Sequence, residues 1–238
     1  MNRKDVIKFF PSYVGSKAYW LPQLQQFRGR PFIEPFAGSA VLSANLASTA
    51  VLNDLDPMVS KILSSFDQQI VPDEFTKEDY FRVRGQEDWW KYSFCLQKMS
   101  YSGVFRYSKN GFNVPIKTDK PIHQKHDYER ALARWNALSP VVLNDQYWSV
   151  EEYITQESVV ILDPPYQTGQ ASYNNTFDYS HYWSLVERWR TLCHTLIIFD
   201  FIGNLAYTPD ATRKTRVNGA RAGNIEGMVI LENTNNAS

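Results

Sequence analysis

The sequence predicts an α/β protein, in which a doubly wound, mainly parallel sheet carries an inserted, mainly helical domain with a β-hairpin. Three observations support this fold class. Short runs of β-branched and aliphatic residues, each the length of a buried strand, alternate with segments typical of helices. Residues 68–139 interrupt this alternation with many aromatic and charged side chains. The chain, at 238 residues, has room for one large domain and a smaller insert.

The predicted elements of the sheet domain follow each other in a regular order. The first strand leads through a turn at 37–39 into a helix that ends near residue 48, and each later strand is again an apolar run. Strands are predicted at 31–36, 50–54, 141–143, 159–162, 196–199 and 227–233, with further helices at about 57–66 and 180–193.

Residues 68–139 are predicted to form a domain of their own, so that the sheet domain comprises 1–67 and 140–238. This insert is expected to be helical at first and loop-like later, through 103–126. Asn110-Gly111 is a strong signal for a tight turn, which favours a hairpin over 108–115. The pair Trp89-Trp90 is expected to pack in the core of the insert rather than to stack on bases.

Composition excludes several classes of protein. Hydrophobic residues make up 43% and charged residues 21%, values that are ordinary for a globular protein and exclude a disordered chain. The apolar runs have only the length of strands, and the first ten residues are charged, so we expect neither a membrane span nor a secretory signal. Cys95 and Cys193 match no disulfide framework and no metal site. A cytoplasmic protein is expected.

The net charge is zero, yet basic residues are concentrated in three segments. Residues 1–30 contain six Lys or Arg against one acid, residues 101–126 contain five against one, and residues 211–225 contain four and no acid. If these segments converge in the fold, they form a surface for a polyanion such as DNA. Three separately solvated faces are the alternative.

Glu34 and Asp54 form the first group of candidate site residues. Glu34 begins a Glu-Pro-Phe-Ala-Gly-Ser turn at the end of the first strand, and Asp54 ends the second strand. An acid in this place binds the ribose hydroxyls of nucleoside ligands in doubly wound folds. Gly38 alone stands where a dinucleotide fingerprint has three glycines, which favours a nucleoside without a pyrophosphate. An ordinary strand–turn–helix capped by Ser39 is the alternative.

The tetrapeptide Asp163-Pro164-Pro165-Tyr166 directly follows a buried strand. Its two prolines fix a rigid turn, which would present a carboxylate, a backbone carbonyl and an aromatic face to one site. Hydrogen-bond acceptors on both N–H bonds of an exocyclic amine would make its nitrogen more nucleophilic, and Tyr166 could stack on a base removed from the helix. The alternative is a proline-stiffened strand end with Tyr166 in the core.

Five segments, in this order along the chain, resemble the motifs of the Dam-like (D12 class) family of adenine-N6 DNA methyltransferases. They are the Gly-Lys segment 13–17, the strand and turn 32–38, the Asn-Asp pair 53–54, the hairpin segment 101–115 and the tetrapeptide 163–166. The tetrapeptide is moderately specific by itself, whereas the ordered set is highly specific. The resemblance implies a Rossmann-like methyltransferase fold, S-adenosylmethionine as the cofactor and no metal.

The resemblance also implies roles for matching residues. Lys17 and Glu34 would hold the methionine part of the cofactor and Asp54 its ribose, while 144–145 would contact its adenine. The implied cofactor-binding residues are Tyr13, Gly15, Lys17, Glu34, Phe36, Gly38, Asp54, Asn144, Asp145 and Asp163. The implied catalytic residues are Asp163, Pro164, Pro165 and Tyr166.

A further set of residues is implied to contact DNA. Tyr101 would press into the duplex where the base leaves it, and Arg106 would read a guanine edge with two hydrogen bonds. The full set is Ser12, Tyr101, Ser102, Arg106, Asn113 and Pro115. Ser102 replaces the usual Asn of the family and Ser12 a base-contacting Lys, and the hairpin is one residue shorter. These differences bear on the usual GATC target rather than on the adenine chemistry.

The implied function is site-specific methyl transfer to N6 of a flipped adenine in duplex DNA, at a short GATC-like site. Such enzymes serve DNA methylation and restriction–modification in a bacterial or phage-infected cell. Double-stranded DNA is the expected partner, without a membrane or an obligate protein partner. One alternative is an N4-cytosine or RNA amine methyltransferase, which Asp163 disfavours. Another is a DNA-binding protein without turnover, which Lys17, Asp54 and the tetrapeptide disfavour.

Overall fold

A computed structural model describes residues 5–165, 177–214 and 225–233. Its strands are β1 (Phe32–Glu34), β2 (Ala50–Asn53), β3 (Tyr107–Ser108), β4 (Gly111–Phe112), β5 (Val141–Leu143), β6 (Val159–Leu162), β7 (Thr195–Phe201), β8 (Ala211–Lys214) and β9 (Ile225–Glu232). Its α-helices are α1 (Val41–Leu46), α2 (Pro57–Ser64), α3 (Lys77–Val83), α4 (Ser93–Met99), α5 (Lys125–Leu138) and α6 (Tyr179–Leu192). None of the helices in these ranges has the length and apolar character that crossing a membrane requires.

Within the described residues, the main sheet has seven strands in the order β5-β2-β1-β6-β7-β9-β8. The first five in this order are parallel, and β9 runs antiparallel to both of its neighbours. From β1 the chain builds outward through β2 to β5, and from β6 it builds in the other direction to β7. The strand order therefore reverses between β1 and β6, where a crevice opens at the carboxyl ends. The predicted doubly wound α/β fold is confirmed.

Both faces of the sheet are buried, which explains the continuous apolar runs in the sequence. Along β6, Val159 and Ile161 belong to one hydrophobic cluster, and Val160 and Leu162 belong to the other. The first cluster contains residues of the N-terminal segment (residues 5–31, before β1) and of α1, α2 and α5. The second contains residues of α6 and of the 3-10 helix Tyr147–Tyr153.

Most predicted elements lie within three residues of the observed ones, and the differences have local causes. The first strand is shorter than the predicted 31–36, because Pro35 has no N–H to donate to a neighbouring strand. Helix α1 ends before residue 48, since Ala47 has an extended backbone. The alternative of a Ser39 cap is wrong: the residue before α1 is Ala40, which has a left-handed backbone (φ 49°) and offers no side-chain cap.

Most aromatic residues of 68–139 join the hydrophobic cluster on one face of the sheet. Phe75, Tyr80, Trp89 and Phe94 are buried in the same cluster as Phe32 of β1. Burial of Trp89 confirms its predicted core role. The division of the chain into 1–67 with 140–238 and 68–139 stays a prediction.

The predicted hairpin is present as β3 and β4, with Lys109 and Asn110 between the paired residues. Gly111 stands in β4 rather than in the turn, with a left-handed φ of 96°. A Cβ there would lie 2.2 Å from the Arg84 carbonyl oxygen, which accepts a hydrogen bond from the N–H of Phe112. Glycine is thus required by the close approach of the hairpin to the end of α3.

Helix α5, for which no helix was predicted, packs beside α1. Its Arg134 side chain forms hydrogen bonds with the carbonyl groups at the carboxyl end of α1. The Arg134 guanidinium donates to the carbonyl oxygens of Ala44 (2.8 Å), Ser43 (3.2 Å) and Ala47. The last carbonyls of a helix have few partners within it, and here Ser43 alone of the three also accepts from the Ala47 N–H (3.2 Å). The cation also complements the negative end of the helix dipole.

We expect Arg134→Ala to lower the free energy of unfolding by about 1–3 kcal/mol, because it removes charge-assisted hydrogen bonds to partly buried carbonyls. Urea unfolding followed by circular dichroism measures the change. Glu129→Ala, at an exposed position of the same helix, is the control and should change stability little. Equal stability of the two variants would contradict the capping role of Arg134.

Candidate active site

Acidic side chains collect at the carboxyl edge of the sheet. Glu34 ends β1, Asp54 follows β2, Asp163 follows β6, and Asp200 is the next-to-last residue of β7. Because carboxyl ends of parallel strands meet at one edge, these groups lie on both sides of the crevice between β1 and β6. Glu226 reaches the same edge from antiparallel β9, where it is paired with Phe201 of β7.

Lys17 provides a buried positive charge among these carboxylates. Its Nζ lies 2.6 Å from Asp163 Oδ2 and 3.3 Å from Glu226 Oε1, and it donates to the carbonyl oxygen of Gly15 at 2.8 Å. The residue is only 6% exposed. Burial alone would lower the pKa of Lys17, but the two carboxylates outweigh it and raise the pKa above its usual range. Lys17 is therefore an ammonium ion.

Three of the carboxyl groups have raised pKa values. Burial raises the pKa of Glu34 to about 7, although Glu34 Oε1 accepts a hydrogen bond from the Ser43 N–H (2.9 Å) in the first turn of α1. Burial also raises the pKa values of Asp54 and Asp200 to about 6. The negative charge of Asp163 contributes to all three shifts. The edge is thus rich in negative charge that a cationic ligand would stabilise.

Asp54 is held in place by backbone donors. Its Oδ2 accepts from the Gly38 N–H (2.8 Å), and its Oδ1 accepts from the Asp56 N–H (2.9 Å). Gly38 has a φ of 46°, and a Cβ there would lie 3.1 Å from the Tyr13 ring. The turn after β1 therefore brings the Asp54 carboxylate and the Tyr13 ring together, as the motifs predicted for one site.

Asn53 joins the ends of three strands. Its Nδ2 donates to the carbonyl oxygens of Pro35 and Asp145, both at 3.0 Å, and its Oδ1 accepts from the Asp145 N–H at 3.1 Å. Asn144 Nδ2 donates to the carbonyl oxygen of Asp54 at 2.8 Å. The structure therefore places 144–145 directly beside Asp54, although they lie about ninety residues apart in sequence.

A small cleft opens between the N-terminal segment and the turn after β1. Seven of the ten residues predicted to bind the cofactor line it: Tyr13, Gly15, Lys17, Glu34, Phe36, Gly38 and Asp163. Phe36 also stacks on Tyr147, with ring centres 5.2 Å apart. A larger hollow near the start of β5 is lined by Trp135 and Pro140 among others, and it contains no carboxylate. Of these two hollows, the smaller cleft is the one lined by charged side chains.

The turn after β6 is tied to the start of α6. The Tyr179 hydroxyl donates a hydrogen bond to the Pro165 carbonyl oxygen, and Pro164 is buried. The Asp163 side chain is a quarter exposed, so it can be reached from the cleft while bound to Lys17. Tyr166, predicted to stack on the target base, lies outside the described residues.

The residues predicted to contact DNA form a connected group at the base of the hairpin. The Tyr101 N–H donates to the Pro115 carbonyl oxygen at 2.9 Å, and the Tyr101 side chain is 60% exposed. Ser102 has a left-handed φ of 54°. Gly103 lies so close to Ser12 that a Cβ would stand 2.6 Å from its Oγ. The hairpin base therefore rests on the N-terminal segment.

Arg106 is exposed and held by Asn113. Its Nε donates to Asn113 Oδ1 at 2.7 Å, and its Nη2 donates to the Asn113 carbonyl oxygen at 2.8 Å. These bonds use one edge of the guanidinium. Its other N–H groups, on Nη1 and Nη2, remain geometrically suited to two acceptors side by side. Both residues are predicted DNA contacts, and the hydrogen bonds between them are a feature that the motif alone does not predict.

Two contacts connect the hairpin to the cleft. The Val14 N–H donates to the Gly103 carbonyl oxygen at 3.0 Å, next to cleft residues Tyr13 and Gly15. The Tyr107 hydroxyl donates to Asp56 Oδ1 at 2.7 Å, and the Asp56 N–H in turn binds Asp54. The predicted DNA-binding and cofactor-binding residues are thus structurally continuous.

The basic segments also meet at the N-terminal segment. The hairpin contacts it through Gly103, and the Arg213 guanidinium of β8 lies 4.2 Å from the centre of the Tyr19 ring. Lys214 is also part of β8, whereas Arg216 and Arg221 of the third segment lie outside the described residues. Convergence of the three segments, one of two alternatives from charge alone, is favoured by these contacts.

Sequence reasoning missed three residues at this edge: Trp20, Asp200 and Glu226. The Trp20 Nε1–H donates to Glu226 Oε2 at 2.9 Å, and both residues are buried. A signal for Asp200 was available, because it follows an apolar run as Asp163 does. Glu226 was visible as a carboxylate beside an otherwise apolar strand, but nothing in the sequence linked it to Lys17.

A doubly wound sheet with an acidic cleft at its switch point defines a class of α/β proteins in which this place commonly binds nucleoside-type ligands. The model of the D12 class N6 adenine-specific DNA methyltransferase family matches residues 13–196 of this chain. The chain belongs to this family, and the predicted Rossmann-like methyltransferase fold is confirmed. Membership of a methyltransferase family implies a methyl donor.

Two relatives are similar over most of the chain. The type II methyltransferase M.MjaIII of Methanocaldococcus jannaschii is 27% identical over 181 residues, which cover 70% of this chain and 61% of the relative. The type II methyltransferase M.CviBI of Paramecium bursaria Chlorella virus NC1A is 26% identical over 191 residues, which cover 70% and 66%. The chain thus spans less than two thirds of the length of either relative.

Among solved structures, the rRNA methyltransferase aviRa of Streptomyces viridochromogenes has a TM-score of 0.43 and 12% identity, covering 93% of this chain and 87% of that one. A likeness at this level adds nothing to the fold described above.

We expect the stability of the ligand-free protein to fall as pH rises, because a carboxyl with a raised pKa binds its proton more tightly when folded. For Glu34 the fall spans the window from 4.5 to about 7. Glu34→Gln should therefore raise the free energy of unfolding by roughly 1–3 kcal/mol at about pH 7.5 and flatten the fall.

Denaturant unfolding across this pH range provides the measurement, with Glu78→Gln at an exposed position of α3 as the control. Lower stability of Glu34→Gln at neutral pH would contradict the prediction. It would mean that the charged hydrogen bond to the Ser43 N–H outweighs the cost of burying the carboxylate.

Proposed function

We propose that this protein transfers a methyl group from S-adenosylmethionine to N6 of an adenine in a short sequence of duplex DNA. The observation that carries the proposal is the position of Asp163. It ends β6 at the switch point of the sheet, lies on the wall of the cleft and is bound by a buried ammonium ion. Family membership supplies the reaction class.

The donor set of the cleft fits S-adenosylmethionine. Glu34 and Asp163 line the cleft, and Asp54 is bonded to its wall at Gly38. This excess of carboxylates suits a ligand with a sulfonium and an ammonium group. Burial raises the pKa values of Glu34 and Asp54, and a nearby positive charge would favour their ionised forms. When bound, S-adenosylmethionine supplies an electrophilic methyl group.

We assign the ends of the cofactor to separate residues. Asp54 follows β2 beside Gly38, where an acid binds ribose hydroxyls in doubly wound folds. Asn144 and Asp145 lie next to it, in reach of the attached base. Glu34 and Gly15, which also line the cleft, would hold the methionine part. Lys17 would act there mainly through Asp163, since its ammonium is already bonded to that carboxylate.

For the target amine, Asp163 and the Pro164 carbonyl oxygen would accept hydrogen bonds from the two N6–H groups. This favours a lone pair directed at the methyl carbon and leaves most of the rate gain to orientation. A base inside a duplex cannot reach a carboxylate on a cleft wall, so the adenine would have to leave the helix. Tyr101, exposed at the hairpin base, would fill the space it leaves.

Sequence selection would depend on the hairpin. Asn113 fixes the Arg106 guanidinium and leaves two parallel N–H groups for guanine O6 and N7. The type II relatives are named as methyltransferases, and a restriction–modification role for this chain is consistent with those names. The changes at Ser12 and Ser102 favour a GATC-like target whose base sequence differs from GATC.

We expect Asp54→Ala to weaken S-adenosylmethionine binding by about 2 kcal/mol, because it removes charge-assisted hydrogen bonds to the ribose. Isothermal titration calorimetry without DNA measures the affinity. Asp67→Ala, at an exposed position, is the control and should bind like the parent. Unchanged affinity of Asp54→Ala would remove Asp54 from the cofactor site.

Modified-base sequencing of DNA from cells that express the parent or a variant tests the function. The parent should methylate adenine at one short sequence. Asp163→Ala should bind cofactor and DNA but lose methylation, since its carboxylate acts mainly in the transition state. Arg106→Ala should keep methyl transfer and relax the choice of site, at a cost of about 1–3 kcal/mol for the cognate sequence.

Arg82→Ala is the matched control for Arg106→Ala, because it removes an exposed arginine of the same insert that is paired with Asp79. Near-parental methylation by Asp163→Ala would refute the catalytic assignment. A proportional loss at all sites in Arg106→Ala would identify a phosphate contact instead of a base contact. Absence of modified adenine with the parent protein would refute the proposed function itself.

A further inference from the structure

Glu226 lies in the active-site edge without a role in the motifs of the chain. It is 5% exposed and stands on β9, the antiparallel strand beside β7. A carboxylate in such a place is costly to bury unless it is paired and hydrogen-bonded. Each carboxylate oxygen of Glu226 has such a partner. Oε1 forms an ion pair with Lys17 Nζ, and Oε2 accepts a hydrogen bond from Trp20 Nε1–H.

Trp20 makes the position of Glu226 well defined. Its indole is 1% exposed and packs against Phe199 of β7, with ring centres 5.8 Å apart. Lys17 and Trp20 also belong to one 3-10 helix, so the ammonium and the indole N–H reach the same carboxylate from one rigid turn. The carboxylate is thus fixed on both sides by the N-terminal segment.

Lys17 has three N–H donors, and among the described residues three acceptors lie close to it: Asp163, Glu226 and the Gly15 carbonyl oxygen. Glu34 and Asp200 also face this charge, from β1 and β7. Glu226 is the second carboxylate, beside Asp163, that forms an ion pair with this ammonium in the described ranges. Without Glu226, the ammonium would be held less firmly. It could then follow Asp163 or draw that carboxylate away from the cleft. A second, fixed carboxylate keeps the ammonium in place.

We infer that Glu226 is a positioning residue that anchors the Lys17 ammonium from behind, so that Asp163 keeps its ion pair and stays directed into the cleft. The consequence for methyl transfer rests on the proposed function. Asp163 can share its oxygens between Lys17 and a target amine, because Lys17 keeps an ionic partner throughout. The anchoring itself is a property of the protein alone.

The anchoring is tested by titrating Lys17. In protein labelled with 13C and 15N in lysine, the Lys17 signal is assigned from its absence in Lys17→Arg, and its shift is followed with pH. Glu226→Gln, which keeps the size of the side chain, should make Lys17 titrate about one pH unit lower than in the parent. Glu232→Gln, an exposed change on the same strand, should leave the titration unchanged.

The consequence for turnover is tested by methylation kinetics with S-adenosylmethionine and duplex DNA. Glu226→Gln should lower kcat at least about tenfold, while the KM for cofactor and for DNA stay within about threefold of the parent. Glu226→Asp, which restores a carboxylate, should recover part of the loss. A general loss of structure would instead lower thermal stability and both binding constants together.

Each failure has a separate meaning. An unchanged Lys17 titration in Glu226→Gln would overturn the anchoring. A lowered Lys17 titration with parental kcat would overturn the effect on Asp163. A parent protein without methylation would refute the proposed function, while the titration would still decide whether Glu226 holds Lys17.

Discussion

The structure around the crevice depends on one electrostatic constraint: carboxylates at the edge of the sheet and a buried ammonium must stabilise each other. Lys17 could not stay charged at 6% exposure without Asp163 and Glu226, and these carboxylates would repel each other without Lys17. The constraint fixes the path of the chain. The 3-10 helix Lys17–Trp20 has to cross the sheet edge between β6 and β9, where it also buries Trp20.

The N-terminal segment also supports the hairpin. Its backbone at Val14 pairs with Gly103, so the wall of the cleft is also the support of the hairpin. A parallel connection runs from Tyr107 through Asp56 to Asp54. These hydrogen bonds fix the position of the exposed hairpin residues relative to the cleft residues at the switch point. The two groups are therefore not joined by a flexible linker alone.

Acidic and basic residues occupy different parts of the molecule, so a protein with a net charge of zero can still present a basic surface to a polyanion. Among the described residues, five acids collect at the carboxyl edge of the sheet around the cleft, and burial raises the pKa values of three of them, Glu34, Asp54 and Asp200. Basic residues are concentrated on the N-terminal segment, the hairpin and β8, and the last two each contact the N-terminal segment. A cation is favoured inside and a phosphate backbone outside, so the two proposed ligands would not compete for the same charges.

The sequence alone determined the α/β class, the strand-ending acids and the hairpin, because each depends on local signals: apolar runs, a turn dipeptide and an acid directly after a strand. The family motifs added Lys17 and the pair 144–145. Only the tertiary structure decided which groups meet. Glu226 reaches Lys17 because β9 inserts antiparallel beside β7, and Asn113 orients Arg106 across a hairpin. Such pairings depend on strand order and register, which local sequence does not encode.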